Sequence, residues 1–169
     1  MIGEPYNFGE RKMDKFQITT QGYAKLKAEV EFLKNVERPN IIKQIAAARE
    51  LGDLKENAEY HSAKDRQGFV EAQLADLEEK FLRAEVIDIS KLSGAKVQFG
   101  ATVKLENLDN EQIVTYKIVS DFEANIDDGL ISSISPVARA LINKEVGNEV
   151  EIKTPGGVKH YEILEIKFV

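Results

Sequence analysis

The 169-residue chain contains no cysteine and no tryptophan, and only two methionines and four prolines. Without cysteine there is neither a disulfide nor a thiolate metal site. The two histidines, His61 and His160, stand far apart in the chain and make a poor pair of zinc ligands. No apolar run approaches the ~20 residues of a membrane-spanning helix. The segment Met1–Lys12 carries Glu4, Pro5 and Glu10 and lacks the apolar centre of a secretion signal. A cytoplasmic protein is therefore expected, with Met13 as an alternative start and the residues before it a loose extension. A basic surplus is missing too: 23 Lys and Arg face 29 Asp and Glu, for a net charge of −6. That balance argues against binding duplex DNA through its phosphates alone. It leaves room for a partner protein that itself holds nucleic acid.

What is present divides near Ser93-Gly94. Before that point glycine is sparse and helix formers dominate; after it, short β-branched runs alternate with turn residues. The division predicts a helical domain over 14–92 and a β domain over 93–169. Thr19 or Thr20 is placed to cap a first helix. Tyr23, Leu26, Val30 and Leu33 follow at spacings of three and four, the seam of a helix packed on one partner. Pro39 predicts a kink or restart, because it removes a backbone donor and crowds the preceding turn. Ile41, Ile45 and Ala48 resume the seam. Tyr60, Ala63, Gln67, Val70, Leu74, Leu77, Phe81 and Ala84 continue it along a second segment. Only the stretch around Gly52-Asp53-Leu54 separates the two, so an antiparallel hairpin is expected. At ~1.5 Å per residue its arm reaches roughly 45–50 Å, much farther than a small core requires.

The second half predicts a small antiparallel sheet. Val97, Phe99, Ala101, Val103 and Leu105 alternate with polar neighbours, and Ile113–Val119 forms a second strand. Leu130–Ile134, Val150–Thr154 and Tyr161–Val169 are further strands, with turns at Asp127-Asp128-Gly129 and Pro155-Gly156-Gly157. Ser135-Pro136 reads as N-cap and first position of a short helix, Val137–Ile142.

Chemistry concentrates at the hairpin tip. A structural account assigns Gly52 to the end of the first helix. It makes Asp53 the cap of the second, with Glu56 completing a capping box. A functional account notes that residues three apart at a helix start share a surface, so Asp53 and Glu56 can converge. Two convergent carboxylates suit magnesium, yet they are too few for an ion that prefers six oxygens. Metal chemistry then requires ligands from elsewhere, as when one protein inserts groups into another's active site.

The run Ala48-Arg49-Glu50-Leu51-Gly52-Asp53-Leu54-Lys55-Glu56-Asn57-Ala58-Glu59-Tyr60-His61 resembles the GreA/GreB family of bacterial transcript-cleavage factors, and its GreA branch in particular. The likeness continues through Arg66-Gln67-Gly68-Phe69 and Ala84-Glu85-Val86-Ile87-Asp88. It returns at Phe99-Gly100-Ala101-Thr102-Val103, at Ser135-Pro136-Val137-Ala138-Arg139-Ala140-Leu141-Ile142 and at Ile152-Lys153-Thr154-Pro155-Gly156-Gly157. It spans residues 14–169 in order.

The resemblance implies an α+β protein: an antiparallel coiled-coil hairpin followed by a small FKBP-like β domain with a short helix. It implies that the second domain docks on RNA polymerase while the hairpin enters the secondary channel of a complex holding a backtracked RNA 3′ end. There Asp53 and Glu56 would share Mg2+ with the polymerase active centre, which hydrolyses the RNA. Asp53 is the better metal ligand; Glu56 assists the metal or orients water. No metal is expected on the protein alone, and a monomer is expected. Arg49, Lys55, Lys64 and Arg66 are candidate RNA-phosphate contacts, and Tyr60 is either a packing residue or one facing RNA. These four cations face Glu50, Asp53, Glu56, Glu59 and Asp65, so no strong basic patch forms, which fits the GreA branch better than GreB. Ser135 and Pro136 belong to the polymerase-docking loop. Ile134 stands where family members usually carry Asn or Asp, which removes one polar contact. His61 and His160 are taken as ordinary polar residues.

Three rivals share parts of this pattern: a Gre-like inhibitor that blocks the channel without cleavage, a prolyl isomerase suggested by the FKBP-like fold, and a structural coiled-coil adaptor. The cleavage-type spacing of the tip acids speaks against the first, and few pocket aromatics against the second. The third predicts replaceable tip acids.

Overall fold

Thr19 closes the first turn of the leading helix, its hydroxyl accepting the Gly22 N–H at 3.0 Å. The computed structural model describes residues 14–169. The extension Met1–Lys12 and the alternative start at Met13 lie outside them. Strand β1 (Phe16–Thr19) leads into helix α1 (Thr20–Phe32), a π-helical stretch (Leu33–Glu37) and helix α2 (Arg38–Glu50). Helix α3 (Ala58–Arg83) returns antiparallel and runs into strand β2 (Ala84–Ile87).

The proline causes no break. Pro39 lacks the N–H for the preceding turn and would crowd the carbonyl four residues back. The wide turn opens that spacing, with the Arg38 N–H bonding the Leu33 carbonyl five residues back. The same turn keeps the seam in phase. Leu33 and Ile41 are both buried, yet eight residues at 3.6 per turn overshoot two turns by about 80°. One extra residue in a π turn absorbs the overshoot.

The hairpin core is the predicted seam: Leu26, Leu33, Ile41 and Ile45 face Ala63, Val70, Leu74 and Leu77. Tyr23 stacks on Phe81 at 5.1 Å near the base. Charged pairs tie the limbs outside the seam, with Arg38 gripping Glu71 through two bonds of 2.6 and 2.7 Å and Lys34 pairing with Glu78. The base is closed by a parallel β1–β2 pair in which Ile18 lies beside Val86. Sequence periodicity did not predict this pairing, which joins segments on opposite sides of the whole hairpin.

The second part is a five-stranded sheet in the order β5-β4-β3-β7-β6, with β3 Thr102–Asn107, β4 Ile113–Val119, β5 Leu130–Ser132, β6 Glu149–Thr154 and β7 Gly157–Lys167. Its pairs are antiparallel except β4–β5, which runs parallel. Short helix α4 (Pro136–Leu141) begins at Ser135, whose hydroxyl accepts the Ala138 N–H at 3.2 Å. Ala138 and Leu141 seal the core formed by Val103, Leu105, Ile118 and Ile163. Val97 and Phe99 are buried as their alternation predicts, but regular strand begins only at Thr102. Val97 instead exchanges backbone bonds with Lys144 and Asn143 beyond α4.

Candidate functional site at the hairpin tip

The capping box expected of Asp53 and Glu56 does not form. Helix α3 starts at Ala58, and its cap is Asn57, whose Oδ1 accepts the Tyr60 N–H at 3.0 Å. The Asn57 amide also donates from Nδ2 to the Ala48 carbonyl at 2.6 Å, across the mouth of the hairpin. A carboxylate can cap but cannot donate. Asn57 alone therefore serves both helix ends, and the connection lengthens to residues 51–57. Gly52, at φ +122°, turns the chain out of α2. Asp53 uses one oxygen locally, its Oδ1 accepting the Lys55 N–H at 2.9 Å.

The two acids thus sit on a turn and not on the surface of a helix. Both are exposed, and neither is within ion-pair distance of a cation among the described residues. Asp53 keeps Oδ2 free of any bond to the described residues, and Glu56 keeps both carboxylate oxygens free. No group of three or more acidic, histidine or cysteine side chains is placed to hold a metal among the described residues. Hard carboxylate oxygens suit magnesium, but two of them leave most of its coordination to be met by other groups.

The neighbours divide into two sets. Arg49 lies over the Tyr60 ring, 5.8 Å from its centroid, and Tyr60 is half-buried against the seam. His61 faces the Tyr60 ring edge-on and places Nε2 3.0 Å from the Lys55 carbonyl, so it fastens the tip loop to α3. Sequence reasoning passed over Asn57 and His61. The signal available was an amide just ahead of the helix, a residue type favoured as a cap. Lys55 and Lys64 are exposed, Lys64 donating to Gln67 at 3.0 Å. Arg66 is engaged across the limbs with Glu37, which competes with the phosphate contact expected of it.

At the other end, Ser135 and Pro136 open α4 as expected, and Ile134 is 61% exposed beside them. Ile134 and Ser133 border a groove of about 410 Å³ against the hairpin base, with Phe16, Lys80 and Arg83 on its far side.

Residues 16–86 match the family described as Transcription elongation factor, N-terminal, and residues 92–168 match Transcription elongation factor, GreA/GreB, C-term. The Transcription elongation factor GreA of Phenylobacterium zucineum is 54% identical over 93% of this chain and 100% of its own. That of Caulobacter vibrioides is equally similar over the same shares. The GreA of Methylobacterium sp. strain 4-46 is 55% identical over 93% of this chain and 99% of its own. With both halves matched in order and over half of the aligned residues shared, the chain belongs to the GreA/GreB family of transcription elongation factors.

Proposed function

We propose that the protein is a GreA-type elongation factor that binds RNA polymerase and stimulates the polymerase's own cleavage of backtracked RNA. The observation that carries this reading is the tip: two exposed carboxylates without a cationic partner among the described residues, at the end of an arm about 45 Å long. An unneutralised acidic pair held in solvent just beyond the end of the seam costs little and is ready to meet charge brought by a partner. The matching of GreA relatives along the whole hairpin supports the same reading.

In this mechanism the polymerase supplies the catalytic centre and this chain is not itself the enzyme. Asp53 would help hold Mg2+ jointly with the polymerase, since the Lys55 N–H occupies its Oδ1 and leaves its other oxygen available. Glu56 would assist that ion or orient the attacking water. When bound, the ion neutralises phosphodiester charge and makes water a better nucleophile. Arg49, Lys55 and Lys64 are within the tip region to contact RNA phosphates, and the loop at Ser135 and Pro136 docks on the polymerase. The exposed Ile134 gives that loop an apolar contact in place of a polar one.

The test uses backtracked complexes carrying labelled RNA. Wild-type protein should shorten the RNA from its 3′ end. Asp53→Ala and Glu56→Ala should each lose roughly a hundredfold in rate while still competing with wild type for polymerase. Normal cleavage by either variant removes that acid from the chemistry. Cutting of free RNA by the protein alone would make it an enzyme in its own right. Channel blockage without cleavage by wild type would assign the inhibitor role.

A further inference from the structure

We infer that Glu123 is a positioning residue, a latch between the sheet and the hairpin that sets the direction in which the arm points; the inference rests on the cleavage role proposed above.

Glu123 lies in the loop that follows β4, yet its carboxylate reaches the base of α1, 104 residues away in sequence. It accepts the Thr19 N–H at 3.2 Å and the Thr19 hydroxyl on the hairpin side. On its own side it accepts the Ser120 N–H at 3.2 Å and the Ser120 hydroxyl at 2.7 Å. Thr19 and Ser120 are both buried, so each hydroxyl depends on this carboxylate for its donor bond. The Thr19 oxygen in turn accepts from Gly22, which makes the latch continuous with the helix cap. The carboxylate therefore sits at the positive end of α1, where free N–H groups favour an anion.

Two neighbours show that the fit is built. A Cβ at Gly22 would collide with the Glu123 carboxyl group. The position is helical and calls for no unusual backbone, so what a side chain there would meet is the bonded carboxylate itself. Phe122 packs against the hairpin core, with the Lys25 Nζ 5.8 Å from its ring centroid. One loop thus places an apolar wedge and a four-bond acceptor on the hairpin base. An arm of this length amplifies any swing at its base, so the tip acids reach a distant active centre only if that base is held.

The absence of native cysteine allows clean double labelling. Spin labels at Asp65→Cys on the arm and Lys159→Cys on the sheet report their separation in the full chain. We expect one narrow distance distribution in the parent and a broad or second one in Glu123→Ala and Gly22→Ala. Alanine is the better helix former, so a lower melting temperature in Gly22→Ala would itself mark the clash with Glu123. Glu123→Ala/Gly22→Ala together should be no worse than Glu123→Ala, because the space is then free. Thr19→Ser, which keeps the hydroxyl, should behave as wild type.

In the cleavage assay the latch variants should need about tenfold more factor for half-maximal rate and reach the wild-type maximum at saturation, as expected when fewer molecules hold the competent arrangement. Unchanged distances in both single variants would overturn the latch whatever the cleavage result. Broadened distances with an unshifted concentration dependence would overturn its positioning role. An inert wild-type protein would sink the functional reading, and the positioning role with it, while the distances still report on the contact.

Discussion

Replacing Asn57 by aspartate exchanges one amide for one oxygen and separates the two jobs of this side chain. The cap survives, since aspartate accepts the Tyr60 N–H as well as asparagine does. The bond to the Ala48 carbonyl does not survive, because its 2.6 Å contact becomes oxygen against oxygen. Losing that donor and leaving the carbonyl facing a negative charge should cost about 1–3 kcal/mol, felt where residues 51–57 join α2 to α3. If the same energy holds Asp53 and Glu56 in the reactive arrangement, stimulated cleavage at saturating factor falls roughly 5- to 150-fold. Hydrogen exchange should find the Tyr60 amide still protected and the last amides of α2 exchanging faster. The backtracked-complex assay gives the rate. Wild-type cleavage with unchanged exchange in Asn57→Asp would refute the claim that this amide organises the tip. Loss of Tyr60 protection would show that the cap, and not the cross-limb bond, was the essential part.

Other outcomes follow from particular contacts. Leu74 is 1% exposed in the hairpin seam, so Leu74→Ala should lower unfolding free energy by about 2–5 kcal/mol in a denaturant titration. Ser135→Ala removes the cap of α4 and should cost about 1 kcal/mol, a fall of roughly 2–4 °C in melting temperature. The Arg38 guanidinium bonds Glu71 and holds its carboxyl below the ordinary glutamate range. Because the folded value is depressed, the benefit is present above that range and is lost as pH falls through the folded value. The melting difference between wild type and Glu71→Gln should therefore shrink between about pH 7 and about pH 3.

The hairpin was legible because its seam repeats: from Leu26 to Leu77 the positions picked by spacing are buried or half-buried in the order foreseen. Ser135-Pro136 was legible because cap and first-turn proline are local chemistry. The tip was half legible. Its acids stood out by type and spacing, but four residues beyond Asp53 an amide that could donate as well as accept took over the cap. The β1–β2 pair and the Glu123 contact were hidden for a different reason. Each joins segments many tens of residues apart, and nothing in the short-range pattern of Phe16–Thr19 or Ser120–Glu123 specifies its mate. The parallel β4–β5 edge likewise depends on how the chain between them crosses over.

The wide turn at Leu33–Glu37 has a consequence for how such an arm can change length. It stores one residue that adds nothing to the face the limb presents, so it is the place where a deletion is cheap. Removing one residue there, with Pro39 changed to alanine to restore ordinary helical bonding, should leave the acids at nearly the same height. Removing one residue from Ala58–Arg83 has no such reserve to draw on, and would rotate everything beyond it by about 100°. Insertions and deletions in this arm are therefore asymmetric: one limb carries slack, and the other is the ruler.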